Sequence, residues 1–409
     1  MEKFSDYITE QKNTHMTHIE DKVLYGGVKG TREAILALRA MRDTLKGEQN
    51  GDVSVKWDGA PAVFVGTDPG DGRFFVAKKG IFNASPKVYK SDADIDDDID
   101  NPDLNSKLKL ALKLFADLGI KDVIQGDFLF GPGDVKKQKI KGTQYITFHP
   151  NTIVYAVPAN TPMAKEITTA KIGVVWHTTY KGKTFESMKA SYGVNVSALK
   201  KSKSVWQQDA MLRDMTKFVM SKKDTEEVNG HLSQAGKIFN KISGTTLRDL
   251  EKNQTLAQHI ETFNNTYVRK GEVVGNTRAH TAKLITWITQ KYKKEIDARK
   301  TDKGKAAQQK KLDDLLAFFS PNNKKSLEQM FELQKVIVLA KLKIINILNK
   351  LNNVDTFLKT KKGYRVTGEE GYVAIDKLGG DAVKIVDRME FSFANFSPDV
   401  IKGWDKPGR

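Results

Sequence analysis

The sequence predicts an α+β protein whose β-rich domain is interrupted by a large basic helical bundle. Short β-type runs, separated by turns rich in Gly, Pro and Asp, occupy residues 52–90 and 122–177. Residues 194–358 instead have helical periodicity and many lysines. Because β-type residues return after Gly363, we expect one domain that is split by an insertion and completed by the end of the chain.

Residues 1–50 are expected to form a helical segment that packs on the β-rich domain. Thr31 is the predicted N-cap of its helix, and Gly47 can end it. Apolar residues recur near one face of this helix at Ile35, Leu38, Met41 and Leu45.

The first β-rich part, residues 51–193, contains several predicted strands and one amphipathic helix. The helix spans 104–118. The predicted strands are 53–55, 62–65, 74–77, 122–130, 145–148, 152–157 and 171–177. The acidic run at 92–100 is interpreted as a solvated loop, with a cation site as the alternative.

The helical insertion is predicted to cover residues 194–362. Residues 327–351 are apolar almost all round, as expected for the central helix of a bundle. Residues 300–311 (KTDKGKAAQQKK) are interpreted as a basic connector of low complexity. Residues 363–409 are expected to return to the β-rich domain, with strands at 364–366, 371–375 and 382–386.

The composition excludes several kinds of site and favours a polyanionic partner. Without cysteine, the chain has no disulfide, no cysteine-ligated metal and no thiol nucleophile. The formal charge is +17 at pH 7, and residues 201–362 contain 32 basic and 17 acidic residues. We therefore expect a nucleic-acid partner, no membrane partner, a monomer and a cytoplasmic location, in the host cytoplasm if the protein is viral.

The densest basic patch lies in the insertion and is the expected contact for nucleic acid. It consists of Lys291, Lys293, Lys294, Arg299 and Lys300, continued by Lys303, Lys305, Lys310 and Lys311. Such a patch can follow phosphates without reading bases. The alternative is the ordinary charged surface of a soluble bundle.

One short motif suggests chemistry. Lys56-Trp57-Asp58-Gly59 follows the predicted strand 53–55. By itself it is weak, because a strand that ends in an Asp-Gly turn with a lysine in water explains it equally well. Further motifs follow it in order, each in or beside a predicted strand: Lys79-Gly80, Gly126-Asp127, Tyr155, Glu370-Gly371-Tyr372-Val373 and Lys384.

In this order and in these β contexts, the motifs resemble those of the covalent nucleotidyltransferase superfamily. That superfamily contains ATP-dependent DNA and RNA ligases and mRNA capping enzymes. The resemblance covers residues 50–180 and 364–390, and the Glu-Gly-Tyr-Val wording is similar to RNA-ligase-like members. It implies a ligase-type adenylation domain of antiparallel β-sheets flanked by helices, formed by residues 51–193 and 363–409, with ATP and Mg²⁺ as cofactors. A compact chain with this insertion also suggests a phage or other viral origin.

The resemblance implies that Lys56 carries a covalent nucleotide. Asp58 and Gly59 would shape the turn that orients this lysine, and Lys384 would neutralise the α-phosphate. Lys79 stands where the family often has an arginine that contacts ribose or the incoming 5′-phosphate. A lysine amine attacks phosphorus only when it is uncharged, so nearby cations or desolvation must favour its neutral form.

The remaining implied roles belong to the nucleotide and the metal. Asp127 would bind ribose or the metal ion, and Glu370 the metal ion, since carboxylate oxygens suit Mg²⁺. Tyr155 would stack on the base, and Val373 would press against its other face.

The chain departs from the family pattern in three places. Asp127 replaces a glutamate that is one methylene longer. Only one lysine is present in the last motif, so the second cation is missing or is supplied by Lys377 or Arg388. The 21 residues after Arg388 are too few for the C-terminal OB-fold domain of DNA ligases and capping enzymes, which makes capping the weaker expectation.

The predicted function is therefore an ATP-dependent polynucleotide ligase that joins 5′-phosphate and 3′-hydroxyl ends through lysyl-AMP. DNA and RNA remain open as substrates. The first alternative is a non-catalytic nucleic-acid-binding protein on a decayed ligase fold. The second is a GTP-dependent guanylyltransferase of the capping type.

Overall fold

The structure, a computed structural model, describes residues 17–48, 52–212, 220–351, 354–375 and 382–405. Within these residues the α-helices are α1 (Lys22–Tyr25), α2 (Gly27–Leu45), α3 (Asp92–Asp98), α4 (Pro102–Phe115), α5 (Pro162–Thr169), α6 (Lys222–Phe239), α7 (Gly244–Lys252), α8 (Gln254–Lys270), α9 (Thr277–Asp297), α10 (Asp302–Ala317), α11 (Pro321–Leu348) and α12 (Arg388–Phe396). The strands are β1 (Asp52–Lys56), β2 (Ala62–Thr67), β3 (Phe74–Ala77), β4 (Val123–Phe130), β5 (Lys136–Ile140), β6 (Thr143–Phe148), β7 (Ile153–Pro158), β8 (Ile172–Lys181), β9 (Lys189–Tyr192), β10 (Val205–Asp209), β11 (Asp355–Thr360), β12 (Gly363–Val366), β13 (Gly371–Ile375) and β14 (Ala382–Ile385).

The strands form three sheets, and the mixed class of antiparallel sheets with helices is confirmed. The order in the six-stranded sheet is β10-β8-β4-β2-β3, with β9 on β8. A five-stranded sheet has the order β12-β11-β7-β6-β5, and a three-stranded sheet the order β1-β13-β14. Neighbouring strands run antiparallel except β10 and β8, which are parallel.

The three-stranded sheet joins parts of the chain that are far apart in sequence. Lys56 at the end of β1 lies opposite Gly371 at the start of β13. On the other side of β13, Val373 lies opposite Lys384 of β14. A strand from the first β-rich segment is thus paired with two strands that follow the helical part.

The six- and five-stranded sheets share an aromatic core. The ring centroid of Trp206, in β10, lies 5.9 Å from that of Phe130 in β4 and 5.6 Å from that of Phe148 in β6. Trp57 packs at the edge of this core, with its ring centroid 6.4 Å from that of Trp206. The residue after the candidate lysine is therefore anchored between the two sheets.

The helices α6–α11 form a bundle around α11, which confirms the predicted central helix. Its buried side chains extend from Ser326 to Leu348. Helix α2 packs against α6, α7 and α11, so the N-terminal helix lies on the bundle rather than on the large sheets. Tyr372, Val383 and Ile385 of the three-stranded sheet belong to the same core. Among the described residues, no helix has the length and apolar character needed to cross a membrane.

The helical part is shorter than predicted. It begins at Lys222 rather than at residue 194, because residues 205–209 form β10 and pair with β8. At its other end, β11 pairs with β7 and β12. In both segments, pairing with a neighbouring strand and burial of apolar side chains favour β-structure. The periodicity of the surrounding lysine-rich sequence had predicted helix there.

Two charged runs predicted as irregular structure are helical. The acidic run contains α3, whose first turn is closed by a capping box between Ser91 and Asp94. The basic run at 300–311 contains the start of α10, capped by the Thr301 hydroxyl. In α2, Thr31 is not the N-cap: it lies inside the helix and its hydroxyl donates to the carbonyl oxygen of Gly27.

Candidate active site

Lys56 and Glu370 form an ion pair at one end of the three-stranded sheet. The two residues are 314 positions apart in sequence, and the Lys56 ammonium donates to Oε2 of Glu370. The pairing of β1 with β13 brings them together, because Glu370 directly precedes Gly371, the partner of Lys56. The Lys56 side chain is 32% exposed and that of Glu370 is 11% exposed. The lysine thus remains accessible while its partner is mostly enclosed.

Gly371 lets β14 approach closely beside this pair. A Cβ atom at this position would lie 2.4 Å from Cγ2 of Val386 and 2.8 Å from the carbonyl oxygen of Ile385. Burial raises the pKa of the Glu370 carboxyl, and the charge of Lys56 opposes this rise. The close packing therefore makes Glu370 a more basic carboxylate than a surface one.

Lys384 adds a second cation to the same sheet. It lies on β14 opposite the buried Val373. Burial lowers the pKa of Lys384, and the nearby charge of Lys56 lowers it further. Its Nζ atom lies 5.2 Å from the centroid of the Phe391 ring. Lys56, Glu370 and Lys384 therefore interact electrostatically.

Asp58 is a buried carboxylate held by a loop. It accepts hydrogen bonds from Nδ2 of Asn151 at 2.6 Å and from the backbone N–H of Ile153 at 2.8 Å. Thr152 donates both its N–H, at 2.6 Å, and its hydroxyl, at 2.5 Å. These bonds compensate the charge of Asp58, which is only 3% exposed. They fix the turn that follows Lys56.

Tyr155 packs against the turn that contains Asp58 and helps to hold it. The backbone N–H of Asp58 donates to the Tyr155 hydroxyl oxygen at 2.6 Å. The ring of Tyr155 is fully buried between Trp57, at a centroid distance of 4.8 Å, and Phe148, at 5.3 Å. Because neither face of this ring is free, the base-stacking role predicted for Tyr155 does not fit its position. Tyr155 acts here as a structural partner of Asp58.

Gly59 brings the turn against β4, where Asp127 lies. A Cβ atom on Gly59 would lie 2.5 Å from Cβ of Asp127. The N–H of Ala60 donates to the carbonyl oxygen of Phe128 at 2.9 Å. Oδ2 of Asp127 lies 3.5 Å from Nε2 of His177 on β8. The motif and Asp127 are therefore neighbours, and His177 extends the group.

Comparison with known proteins places the chain in a family. The model of DUF6267, described as a family of unknown function, matches residues 13–399. The chain belongs to this family. No curated protein and no solved structure matches it. The DUF6267 match includes both the three-stranded sheet and the helical bundle.

Two further predicted positions in the DUF6267 chain lie in helical segments, outside the three-stranded sheet. Lys79 is exposed in the helical turn Lys79–Phe82. Arg388 forms ion pairs with Asp21, at 2.7 Å, and with Glu20, at 3.6 Å. It is thus engaged with the N-terminal segment and does not supply a free second cation. Lys377, the other residue considered for that role, lies outside the described residues.

The carboxylates of Asp127 and Glu370 could coordinate a magnesium ion. In the described part of the chain, no group of three or more His, Asp or Glu side chains is arranged around a metal position. Magnesium sites in enzymes of phosphoryl transfer commonly use only one or two carboxylates, together with phosphate oxygens. Asp127 and Glu370, both partly accessible, are the candidates.

The basic patch of the DUF6267 chain lies at the C-terminal end of α9 and just after it. Lys293 and Lys294 are exposed on α9, and Arg299 and Lys300 are exposed just after it. Lys291 differs from them, because its Nζ atom lies 5.6 Å from the ring centroid of Trp287.

The sequence motifs did not identify several partners of the site. Asn151, Thr152 and Glu369 hold the buried groups around Asp58 and Tyr155. A polar Asn-Thr pair directly before the buried strand β7 was the available signal. The resemblance to ligase motifs did not extend to that pair, so it gave no role to it.

Proposed function

We propose that this protein is an ATP-dependent polynucleotide ligase whose nucleophile is Lys56. The observation that supports this most directly is the ion pair of Lys56 with Glu370 on a sheet that also carries Lys384. These three residues come from separate sequence motifs, and each is the residue type that nucleotidyl transfer requires. Their assembly on adjacent strands is unexpected if the motifs are unrelated.

In the first step, Lys56 would attack the α-phosphorus of ATP. Its ammonium group must first lose a proton to solvent, which reaches the partly exposed side chain, because only the neutral amine attacks phosphorus. The amine loses a second proton as the phosphoramidate forms. A bond from Nζ to phosphorus forms, the bond from phosphorus to the α,β-bridging oxygen breaks, and pyrophosphate leaves. Lys384 can stabilise the negative charge that increases on the phosphate oxygens.

In the second step, a 5′-phosphate oxygen of the polynucleotide attacks the same phosphorus, and the bond to Lys56 breaks. In the third step, a 3′-hydroxyl loses its proton and attacks the activated 5′-phosphate. A phosphodiester bond forms and AMP leaves. The protein's contribution is to position the reacting groups and to match their charge.

Asp127 and Glu370 would hold Mg²⁺, which withdraws charge from phosphate oxygens. Both carboxylates lie next to the motif, Asp127 against Gly59 and Glu370 against Lys56. Asp58 is not available for this purpose, because its oxygens accept hydrogen bonds from the loop at 151–153.

Incubation with radiolabelled ATP and magnesium, followed by a denaturing gel, tests the proposal. We expect label that stays on the protein and is lost in both Lys56→Ala and Lys56→Arg, because an arginine keeps the charge but not the nucleophile. Lys29→Ala, in which an 89% exposed lysine of α2 is removed, is the matched control and should label normally.

Two outcomes would contradict this function and favour another. Label from GTP but not from ATP would support a capping-type guanylyltransferase. The absence of label with every nucleoside triphosphate would support a nucleic-acid-binding protein without catalysis. Joining of nicked DNA, nicked RNA and mixed hybrids would then decide the substrate of a labelled protein.

A further inference from the structure

A cleft in the helical bundle lies between α8 and α9. Its volume is about 620 Å³. Besides Thr266, it is lined by three aromatic and three charged side chains: Phe263, Tyr267, Trp287, Lys270, Lys283 and Glu272. These residues have no part in the proposed chemistry of Lys56. Aromatic rings beside lysines within one cleft suit a ligand that is both planar and anionic.

The spacing of these residues gives each helix one face on the cleft. On α9, Lys283, Trp287 and Lys291 recur at intervals of four residues and so lie one above another. On α8, Phe263, Tyr267 and Lys270 recur at intervals of four and three. Each helix therefore presents aromatic rings together with lysines along the same stripe.

The aromatic rings of the cleft pack against one another and against two histidine rings of the bundle. The centroid of Trp287 lies 5.7 Å from that of Phe263 and 6.1 Å from that of His259. Phe263 and Tyr267 each lie 4.8 Å from the ring of the buried His280. Burial lowers the pKa of His280 to about 4, so this ring stays neutral and packs like an aromatic residue. A ligand would thus meet a preorganised surface.

The charges around the cleft favour an anion. Lys270 and Lys283 are exposed at its rim, against one carboxylate, that of Glu272. The Lys291 ammonium lies 5.6 Å from the Trp287 centroid and adds positive charge on the same face of α9. Residues 201–362 as a whole have 15 more basic than acidic residues. A polyanion would therefore be drawn to this part of the molecule.

We propose that this cleft binds single-stranded nucleic acid, with one base stacked on Trp287 and the adjoining phosphates on Lys270 and Lys283. This function goes beyond nucleotidyl transfer and does not depend on it. Helix α8, which forms one wall of the cleft, also contacts the last helix of the β-rich part, since the Arg269 guanidinium of α8 lies 5.6 Å from the Phe396 ring of α12. A bound strand would be held by the same molecule that carries the Lys56 site.

The first test separates the contribution of the bases to binding affinity from that of the phosphates. Fluorescence anisotropy with a labelled oligothymidylate, in the absence of ATP, is compared with an abasic strand of the same length. We expect Trp287→Ala to weaken binding of oligothymidylate about tenfold, because stacking on an aromatic ring contributes roughly that factor per base. Trp287→Phe, which keeps an aromatic face, should bind within about threefold of the wild type.

Trp404→Ala is the matched control, since Trp404 is 59% exposed and lies outside the cleft. Its affinity should be that of the wild type. Equal affinity of the wild type for the abasic strand and for oligothymidylate would overturn base stacking. A tenfold loss in Trp404→Ala equal to that in Trp287→Ala would overturn the assignment to the cleft.

The second test uses exposed residues and so does not depend on how the Trp287→Ala variant folds. Lys270→Glu with Lys283→Glu is compared with Lys324→Glu with Lys325→Glu, which changes the net charge equally at the exposed start of α11. We expect the cleft pair to weaken binding at least about fivefold more than the control pair and to reduce its salt dependence. Equal losses would overturn the site and leave only general attraction by the bundle.

Discussion

The three-stranded sheet and the helical bundle use their charges in opposite ways. At the sheet, Lys56 is paired with Glu370, and Asp58 is buried with four hydrogen bonds from neighbouring groups. On the bundle, Lys293 and Lys294 are exposed to water. The Lys56 site holds its charged groups against defined partners, whereas these exposed lysines of α9 offer positive charge without a fixed geometry.

This difference separates groups that are suited to a reaction at phosphorus from groups that only attract phosphates. A reaction at phosphorus needs groups held within a fraction of an ångström, and burial with hydrogen-bonding partners provides that order. Contact with phosphates along a strand tolerates flexible side chains, because counterion release depends on charge rather than on geometry. Substitutions in the two regions should therefore affect different measurements.

The largest effect on stability is expected from Asp58→Ala. Removal of the carboxylate leaves the buried N–H groups of Thr152 and Ile153 without an acceptor. We expect the free energy of unfolding to fall by about 3 kcal/mol or more, with loss of ATP labelling. Urea denaturation measures it, with Asp297→Ala, an exposed change on α9, as control. A similar small loss in both variants would show that the turn after Lys56 is not held by Asp58.

Glu370→Gln should separate activity from stability. This change removes the partner of Lys56 and a carboxylate whose pKa is raised by burial. We expect labelling by ATP to fall on the order of a hundredfold, while the free energy of unfolding changes by less than about 1 kcal/mol, because Lys56 is partly exposed and water can solvate its unpaired charge. Glu390→Gln, at another partly buried carboxylate, is the control. Normal labelling by Glu370→Gln would contradict the proposed site.

The pH dependence of stability should reveal whether the buried Glu369 carboxyl is protonated in the folded protein. Burial raises the pKa of its carboxyl from 4.5 to about 8. Between these values the folded protein keeps a proton that the unfolded chain releases, so stability falls as pH rises through this range and levels off above about pH 8.

Compared with Glu369→Gln, the wild type should lose up to about 1.4 kcal/mol of unfolding free energy per pH unit within that range. Denaturant titrations at a series of pH values measure the difference. Asp21, whose pKa is raised to about 7 mainly by burial, is present in both proteins and therefore cancels. Parallel stability curves for the two proteins would contradict the protonated state of Glu369.

The smallest expected effect belongs to the bundle surface. Reversal of charge at Lys293, Lys294 and Lys300 should weaken nucleic-acid binding about fivefold and lower its salt dependence by roughly one unit for each lost phosphate contact. ATP labelling should be unchanged, because these residues have no part in the proposed chemistry of Lys56. A parallel loss of labelling would show that the two regions are not independent.

The sequence predicted strongly periodic elements well and charged segments poorly. The central helix α11 and the strands β4 and β7 follow from long apolar patterns, and these predictions are confirmed. The acidic and basic runs gave no such pattern, and α3 and the start of α10 depend on the capping residues Ser91 and Thr301. Strand β10 was missed because its burial comes from pairing with β8, which no local signal reports.

The sequence by itself determined the residue types of the site and their order along the chain. It also determined the concentration of positive charge between residues 201 and 362. Only the tertiary structure decided that Lys56 pairs with Glu370, that Tyr155 is enclosed beneath Asp58 and that Arg388 is bound to Asp21. The physical reason is that strand register and burial are set by contacts between distant segments, whereas composition and spacing describe only neighbours along the chain.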